Sequence, residues 1–464
     1  MSVISVHTLG CKVNQCDADA LISTLNAIGH TAFHTHDFSV PVDVFVINTC
    51  TVTGTSDKKS RQMLRRARKN NPNALVAMCG CMARNSTGID GVDFVFDARE
   101  PENFIRHLAR HCGTESGSLP QSSVYREAEE IPGQFRSNRH DSFDVHGMID
   151  ELDGSIGISK TRSFIKIQDG CDRFCSYCIV PHVRGAIKSR PLVDILREAE
   201  TLIECGTAEI VLTGIQVASY GNDISGEGSL SFAVEKVAAL PGLGRLRLSS
   251  IDPTAVTTCF LEAIAASSTL CPHFHLSLQS GCDTTLEKMN RRYTTAEYAN
   301  AATALRNLRP HTALTTDVIV GFPGESDAHF AQSLEFVRKM DFAQIHVFEF
   351  SPREGTPAAS FAEQVPQKIK SERGKIMRDA AIELQRNFLK TQVGRTIEVI
   401  FEKEKSPGIY IGTSENYCTV QVESSKYILR QTRNVTISGC SDKLLKGEMT
   451  HGNPKNQRVS ARYT

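Results

Sequence analysis

The chain has 464 residues, with 52 Lys and Arg against 52 Asp and Glu, so its formal net charge at pH 7 is zero. This balance excludes a generally basic nucleic-acid-binding surface and leaves only local basic patches, while the length predicts two or three domains. No apolar run is long enough to cross a membrane, and residues 1–10 lack the features of a signal peptide. We therefore expect a cytoplasmic protein without a membrane partner. In that reducing compartment, the 15 cysteines favour metal or redox chemistry over disulfides.

Residues 1–110 alternate between strands and helices, which predicts a doubly wound α/β domain with a parallel sheet. The predicted strands are 3–6, 43–47, 74–78 and 93–96, and the predicted helices are 17–28, 56–69 and 101–111. Cys11, Cys50 and either Cys79 or Cys81 each follow a strand. Because the carboxyl ends of neighbouring parallel strands open into one crevice, these thiols are expected to meet there. Each alone is typical of a small buried side chain, but three at equivalent positions indicate a metal cluster.

The second of these helices is unusually basic. Lys58, Arg61, Arg65 and Arg68 recur on one face, and the one acidic residue, Asp57, lies at the N-terminal end, where the helix dipole favours it. Two interpretations stay open, an ordinary basic surface helix and a phosphate-contacting face for RNA.

A second α/β segment follows an irregular linker. Residues 111–160 are rich in Gly, Ser, Pro and charge, which predicts the linker. Six strand–helix units then predict a partial, open (β/α)6 barrel, which a long helix extends to residue 391. The predicted strands are 163–168, 209–213, 245–250, 273–278, 316–320 and 344–350. Polar or glycine residues at the strand ends, among them Gly214, Gln216, Ser250 and Gln279, are candidates for binding a nucleoside and a methionine moiety.

Three cysteines follow the first barrel strand in a C-x3-C-x2-C array, Cys171, Cys175 and Cys178. A cubane iron–sulfur cluster takes thiolates from one short loop, and three thiolates leave one iron open for another ligand. A zinc knuckle is the alternative, with His182 close by, but zinc sites usually add a second Cys/His pair at some distance.

The C-terminal residues change pattern. Alternating apolar residues over 392–450 predict a small antiparallel β-barrel, in which basic residues modestly outnumber acidic ones. Residues 451–464 are expected to form a disordered tail.

The loop 170–178, with Tyr177 before the last cysteine, resembles the signature of the radical S-adenosylmethionine (SAM) enzymes. In that family the open iron chelates SAM, and the reduced cluster splits it into methionine and a 5′-deoxyadenosyl radical.

Residues 10–14, 48–50 and 80–83 are similar to the three cysteine motifs of the methylthiotransferase N-terminal domain. That resemblance implies a second [4Fe–4S] cluster on Cys11, Cys50 and Cys81, with Cys81 preferred to Cys79 because it follows a glycine. Residues 392–450 resemble the TRAM domain, an RNA-binding barrel.

Within the methylthiotransferases, residues 8–15, 48–53 and 60–62 most resemble the branch that acts on N6-threonylcarbamoyladenosine at tRNA position 37, in the anticodon loop. The resemblance implies that one SAM methylates a sulfur on the second cluster. Another SAM yields the radical that removes hydrogen from C2 of the modified adenine, where the methylthio group is added. It also implies an electron donor such as flavodoxin or ferredoxin. The residues expected to contact SAM are Tyr177, Gly214, Gln216, Ser250, Gln279 and Arg292.

Other functions stay open. A methylthiotransferase could act instead on isopentenyladenosine in tRNA or on a ribosomal protein aspartate. A protein of another class, a non-catalytic iron–sulfur or zinc RNA-binding protein, would also use clustered cysteines and basic patches.

Overall fold

The computed structural model describes residues 1–85, 89–111, 161–225 and 228–450. The predicted linker beyond residue 111 and the predicted C-terminal tail lie outside the described residues. Contacts divide the chain into two compact units. The first comprises Met1–Lys160, Asp169–Asp172 and Cys178–Ala186, and the second comprises Thr161–Gln168, Arg173–Tyr177 and Ile187–Thr464.

The first unit is a doubly wound α/β fold, as predicted. Its five parallel strands follow the order β2-β1-β3-β4-β5. The strands are β1 (Val3–Thr8), β2 (Thr31–His34), β3 (Val44–Thr49), β4 (Leu75–Gly80) and β5 (Phe94–Val95), and the main helices are α1 (Lys12–Ala27), α2 (Gly54–Asn70) and α3 (Glu102–His111). Helix α1 begins at Lys12, five residues before the predicted start at residue 17. The prediction missed this first part of the helix because the buried residues Asn14 and Asp17 are polar and interrupt the apolar periodicity.

Helices cover both faces of this sheet, which explains why β3 and β4 are almost continuously apolar. On one face Val46 and Ala77 pack in a core with Leu21 of α1 and Phe104 of α3. On the other face a separate core joins alternate residues of the same strands, Phe45, Ile47, Val76 and Met78, to Leu64 and Ala67 of α2.

The second unit contains the expected partial barrel of six parallel strands. Two hydrogen-bonded sheets, β7-β6-β8-β9 and β10-β11-β12, are linked by isolated bridges such as Ile251 to Leu276. The six barrel strands are β6 (Arg162–Asp169), β8 (Glu209–Gly214), β9 (Arg245–Leu248), β10 (His273–His275), β11 (Ala313–Val320) and β12 (Gln344–Glu349), and β7 (Lys188–Ser189) is an additional strand at the edge beside β6. The two-residue edge strand β7 was not predicted, and β9 and β10 end earlier than predicted.

Among the described residues, eight further helices follow α3. The first of them, α4 (Val180–Arg184), belongs to the first unit. The others are α5 (Leu192–Glu204), α6 (Leu230–Ala238), α7 (Thr258–Ala266), α8 (Asp283–Lys288), α9 (Thr295–Leu308), α10 (Asp327–Lys339) and α11 (Gln367–Lys390). Local sequence sets several of their ends: Thr294 with Glu297 forms a capping box at α9, and Ser326 with His329 forms one at α10.

The C-terminal segment closes into a five-stranded barrel in the order β13-β14-β15-β17-β16. Its strands are β13 (Thr396–Ser406), β14 (Ile409–Ser414), β15 (Thr419–Glu423), β16 (Thr432–Cys440) and β17 (Leu445–Met449). The sequence predicted an antiparallel barrel but neither β14 nor β17, and the barrel departs from that prediction where β15 pairs with β17 in parallel. Within the second unit, Tyr417 of this barrel stacks on His273, with ring centroids 4.4 Å apart, and lies beneath the guanidinium of Arg247.

None of the helices within the described ranges has the length and apolar character of a membrane span.

Candidate functional site

Cys11, Cys50 and Cys81 lie at one edge of the first sheet. Cys11 is the N-cap of α1, and Cys50 and Cys81 directly follow β3 and β4. A Cβ atom placed on Gly10, beside Cys11, would lie 3.0 Å from the Sγ of Cys50, and Gly10 has a φ of +103°, which favours glycine. The edge lies where the strand order β2-β1-β3 reverses direction, the position at which doubly wound sheets bind ligands.

Asn14 holds this edge together. Its Nδ2 donates hydrogen bonds to the carbonyl oxygens of Leu9, at 2.8 Å, and of Thr49, at 2.9 Å. The Asn48 side chain in turn donates to the backbone oxygen of Asn14 at 2.7 Å. These bonds join the segment before α1 to the end of β3, so the backbone around Cys11 and Cys50 is fixed by buried amides.

Burial affects the thiols of this group. It raises the pKa of Cys50 above its ordinary value. Burial also raises the pKa of Cys81 to about 11, although Arg184 opposes the shift; the nearby Cys11 and Cys50 add to it. Deprotonation of such thiols requires a cation, which is what a bound metal cluster supplies.

Cys79 and Cys81 differ in position, because Cys79 lies within β4 and Cys81 directly follows it. Cys79 is fully buried in the apolar core beneath α1 and α3, and burial raises its pKa well above the ordinary value. Cys81 lies beyond the strand end, with its Sγ 3.8 Å from the Oδ1 of Asn14. This arrangement favours Cys81 as the third member of the group.

Arg184 is a buried cation beside Cys81, and the sequence did not predict this contact. Its guanidinium donates to both carboxylate oxygens of Asp169, at 2.9 and 3.0 Å, to Asp17 at 3.0 Å and to the Oδ1 of Asn14 at 2.6 Å. Burial favours the neutral guanidine, but Asp169, Cys81 and Asp17 outweigh that effect and raise the pKa of Arg184. A permanent positive charge therefore lies next to the thiol of Cys81.

The loop after β6 carries the second cysteine group, and its ends belong to the first unit. The backbone N–H of Cys171 donates to the oxygen of Gly185 at 3.1 Å. Gly170 has a φ of +70°, and a Cβ atom there would lie 1.8 Å from the backbone oxygen of Ala186. Only glycine fits at this position, which fixes the start of the loop. Cys178 lies two residues before α4.

The middle of the loop, with Cys175, is held within the second unit. Ser176 donates from its backbone N–H to Met289 at 3.0 Å and from its hydroxyl to Lys288 at 2.8 Å. The Asn290 side chain donates to the oxygen of Phe174 at 2.9 Å, and Phe174 has a φ of +47°. The segment after α8 therefore holds the cysteine loop in a turned conformation.

Arg291 lies beside Cys175. Its Nη1 is 3.3 Å from the Cys175 Sγ, and its Nη2 donates to Asp252 at 2.7 Å. Burial favours neutral guanidine, but Tyr293, Tyr177, Cys175 and Asp252 outweigh it and raise the pKa of Arg291. Each of the two cysteine groups thus has a buried arginine next to one thiol.

The predicted SAM contacts are spread over the second unit. Gly214 ends β8, and a Cβ atom there would lie 2.9 Å from the backbone oxygen of Gln168. The Gln216 N–H donates to the Gln168 side chain at 2.8 Å. Tyr177 is half-buried and meets the Phe322 ring edge-on at a centroid distance of 6.4 Å.

The remaining three predicted contacts differ in exposure. Gln279 is half-buried with a φ of +67°, and its N–H donates to the oxygen of Asp317 at 2.9 Å. Ser250 and Arg292 are exposed. A SAM-binding role for these six residues stays a prediction.

Two family models match the chain. The radical SAM superfamily matches residues 165–337, and uncharacterized protein family UPF0004 matches residues 3–90. The fold resembles the radical S-adenosylmethionine methyltransferase TsrM from Kitasatospora setae, with a TM-score of 0.54, 14% identity and coverage of 77% of this chain and 75% of that one. At this identity the likeness shows the fold alone.

Curated relatives match over nearly the whole chain. The threonylcarbamoyladenosine tRNA methylthiotransferase MtaB of Bacillus subtilis is 33% identical over 94% of both chains, and that of Thermotoga maritima is 32% identical over 90% of both. The tRNA-2-methylthio-N6-dimethylallyladenosine synthase of Pelotomaculum thermopropionicum is 31% identical over 97% of this chain and 98% of its own. The chain therefore belongs to the tRNA methylthiotransferase family of radical SAM proteins.

Proposed function

We propose that this chain converts N6-threonylcarbamoyladenosine at position 37 of tRNA into its 2-methylthio derivative. The observation that carries the proposal is the convergence of Cys11, Cys50 and Cys81 at the switch point of the first sheet, in a chain whose radical SAM segment has its own three-cysteine loop. Relatives named for this reaction match over most of their length.

Cys171, Cys175 and Cys178 are proposed to hold the [4Fe–4S] cluster that binds SAM. Their spacing fits a cluster, since three thiolates come from one short loop and a fourth ligand position stays open. Arg291 adds a buried positive charge beside Cys175, which favours an anionic thiolate cluster.

Cys11, Cys50 and Cys81 are proposed to hold a second [4Fe–4S] cluster. Two of these thiols are buried at a strand edge, and their donor set of three sulfurs suits iron–sulfur ligation. Asn14 and Arg184 would then position the cluster, because they fix the backbone and the charge around Cys81.

The bound clusters and SAM would supply the hydrogen-abstracting radical, the sulfur and the methyl group that substitution at an inert adenine C–H bond requires. The chain itself would bind and orient these groups and exclude water. For the SAM pocket we propose Tyr177, Gly214, Gln216, Ser250, Gln279 and Arg292, with an external donor such as flavodoxin or ferredoxin as the electron source.

The proposed macromolecular partner is the tRNA anticodon loop, met in the cytoplasm. On α2 the side chains of Lys58, Arg61 and Arg65 are exposed, and Arg68 is paired with Asp93. Three exposed cations on one helix suit contacts to phosphates, and a base in a single-stranded loop is accessible without opening a duplex. The C-terminal barrel is the second proposed RNA-binding surface.

A second candidate substrate is N6-dimethylallyladenosine. The Pelotomaculum relative named for that nucleoside is 31% identical over 97% of this chain. The two substrates share the adenine that is modified and differ in the N6 group, so the same two cysteine groups serve either reaction.

Mass spectrometry of tRNA nucleosides tests the proposal. Cells that lack the gene are compared with cells carrying the wild-type chain, a Cys11→Ala/Cys50→Ala/Cys81→Ala variant, or a Cys205→Ala control at an exposed cysteine. We expect the 2-methylthio derivative of threonylcarbamoyladenosine to disappear in the null strain and to return with wild type and Cys205→Ala only. Loss of the dimethylallyl derivative instead would assign the second substrate, and unchanged nucleosides would contradict both.

A further inference from the structure

Three side chains with metal-ligating atoms lie on neighbouring strands of the partial barrel. His275 ends β10, Asp317 lies in β11 and His346 lies in β12, directly paired with Asp317 across the parallel ladder. Val318 and Ile345, their neighbours in sequence, are in the hydrophobic core. Because side chains alternate along a strand, the three lie on the face opposite that core.

The distances between these groups suit a shared ion. One potential ligand atom from each residue lies within 4.8 Å of the other two, and the Nε2 of His275 is 3.3 Å from the Oδ2 of Asp317. The two imidazole rings are 6.0 Å apart between centroids and nearly parallel, at 27°. Zinc bonds of about 2.1 Å in tetrahedral geometry need ligand atoms about 3.4 Å apart, close to the distance between the Nε2 of His275 and the Oδ2 of Asp317.

The surroundings of His275 are those of a metal ligand. Its Nδ1 is 3.1 Å from the Oγ1 of Thr315, a contact that fixes the ring and leaves Nε2 to face the carboxylate. Nε2 is buried and makes no well-aligned hydrogen bond to any residue that the structure describes. A buried, unsatisfied ring nitrogen beside a carboxylate is satisfied by a cation that both can bind.

We propose that His275, Asp317 and His346 bind one divalent transition-metal ion, zinc(II) in its simplest form. Two imidazoles and one carboxylate are a donor set that zinc takes in proteins. Three protein ligands leave at least one coordination position for water or for an oxygen atom of the substrate. Because no thiol takes part, the site is separate in chemistry from both cysteine groups, and the inference does not depend on the proposed function.

The test measures zinc binding by the full-length, iron-loaded protein under anaerobic conditions, with a chromogenic chelator as competitor and with zinc and iron counted by mass spectrometry. The variants are Asp317→Asn and His346→Gln; His346 is exposed, so its replacement leaves the core intact. The matched control, His34→Gln, removes a histidine from another histidine–aspartate pair, with Asp19, in the first unit.

Wild type and His34→Gln are expected to bind one zinc ion with the same affinity. In Asp317→Asn and His346→Gln the zinc affinity should be at least about 10-fold weaker. Iron content should be the same in all four proteins. Cobalt(II) bound at the same position should show d–d absorption without the charge-transfer bands of thiolate ligands. Equal zinc affinity in wild type and His346→Gln, or sulfur-ligated cobalt, would overturn the proposal and leave a simple histidine–aspartate pair.

Discussion

Replacing Arg184 with methionine is expected to destabilise the first unit by about 3–5 kcal/mol, the usual effect of removing one partner from a buried ion pair. The guanidinium is 5% exposed and donates to Asp17 and Asp169, which are 4% and 9% exposed, and to Asn14. Methionine fills a comparable volume but leaves two buried carboxylates without their cation.

The size of this effect has a physical ceiling. Hydrogen bonds to charged groups contribute about 1.5–3 kcal/mol each, so the contacts of Arg184 summed independently would exceed the range given above. A carboxylate that loses its cation can instead take up a proton, which for an ordinary aspartate at pH 7 requires about 4 kcal/mol. That escape limits the loss.

Urea unfolding followed by far-ultraviolet circular dichroism measures the effect, since the chain contains no tryptophan to report by fluorescence. A double-mutant cycle with Asp17→Asn should give a coupling energy of about 1 kcal/mol or more. Arg84→Met is the matched control: Arg84 is 35% exposed in its pair with Asp97, so its loss should be about 1 kcal/mol or less. A deficit for Arg184→Met no larger than the control's, or additive single and double variants, would refute the reasoning.

Three further predictions concern other positions. Gly170→Ala should abolish iron binding by the cysteine loop, because its Cβ would lie 1.8 Å from a backbone oxygen. Gly185→Ala meets no atom within 4 Å, so it should bring only the backbone strain of about 1–3 kcal/mol at a φ of +77° and a ψ of −163°, a region essentially restricted to glycine. Burial opposes ionisation of Glu209, but its arginine partners outweigh that effect and lower its pKa from 4.5 to about 2. The ionised carboxylate should therefore stabilise the fold fully above pH 4.5. That contribution of about 3 kcal/mol should be lost as the pH falls from 4.5 through 2 and should be missing from Glu209→Gln. Cys81→Ala should lose about four irons, one cluster, whereas Cys79→Ala should keep them.

Each of these predictions has a measurement and a contrary result. For the glycines, iron analysis of purified protein decides, and equal iron in the two variants would contradict the steric argument. For Glu209, acid unfolding curves decide, and parallel curves for wild type and Glu209→Gln would show that the carboxylate does not contribute. For the cysteines, loss of iron in Cys79→Ala with retention in Cys81→Ala would reverse the assignment.

The convergence of Cys11, Cys50 and Cys81 could be predicted because parallel strands place their carboxyl ends at one edge whatever the intervening sequence. Strands β3 and β4 could be predicted because each is a nearly continuous run of apolar residues. β2 was missed because its four residues, which include Thr31 and His34, are too short and polar for an apolar pattern.

The arginines beside the thiols could not be assigned from the sequence, because their partners are distant along the chain. Arg184 binds Asn14 across 170 positions, and Arg291 binds Asp252 across 39. Asp252 caps a short helical turn, since its Oδ1 accepts from the Thr254 N–H at 3.1 Å, and its other oxygen binds Arg291. The local sequence pattern can indicate the capping role, whereas the ion pair with Arg291 is known only from the folded chain.

The number of clusters tests the central claim most directly. Iron and sulfide are measured in anaerobically reconstituted wild type, in a Cys11→Ala/Cys50→Ala/Cys81→Ala variant and in a Cys171→Ala/Cys175→Ala/Cys178→Ala variant. We predict about eight irons in wild type and about four in each variant, as expected for two [4Fe–4S] clusters. Full iron in either triple variant, or about four irons in wild type, would contradict the claim that the two cysteine groups each hold a cluster.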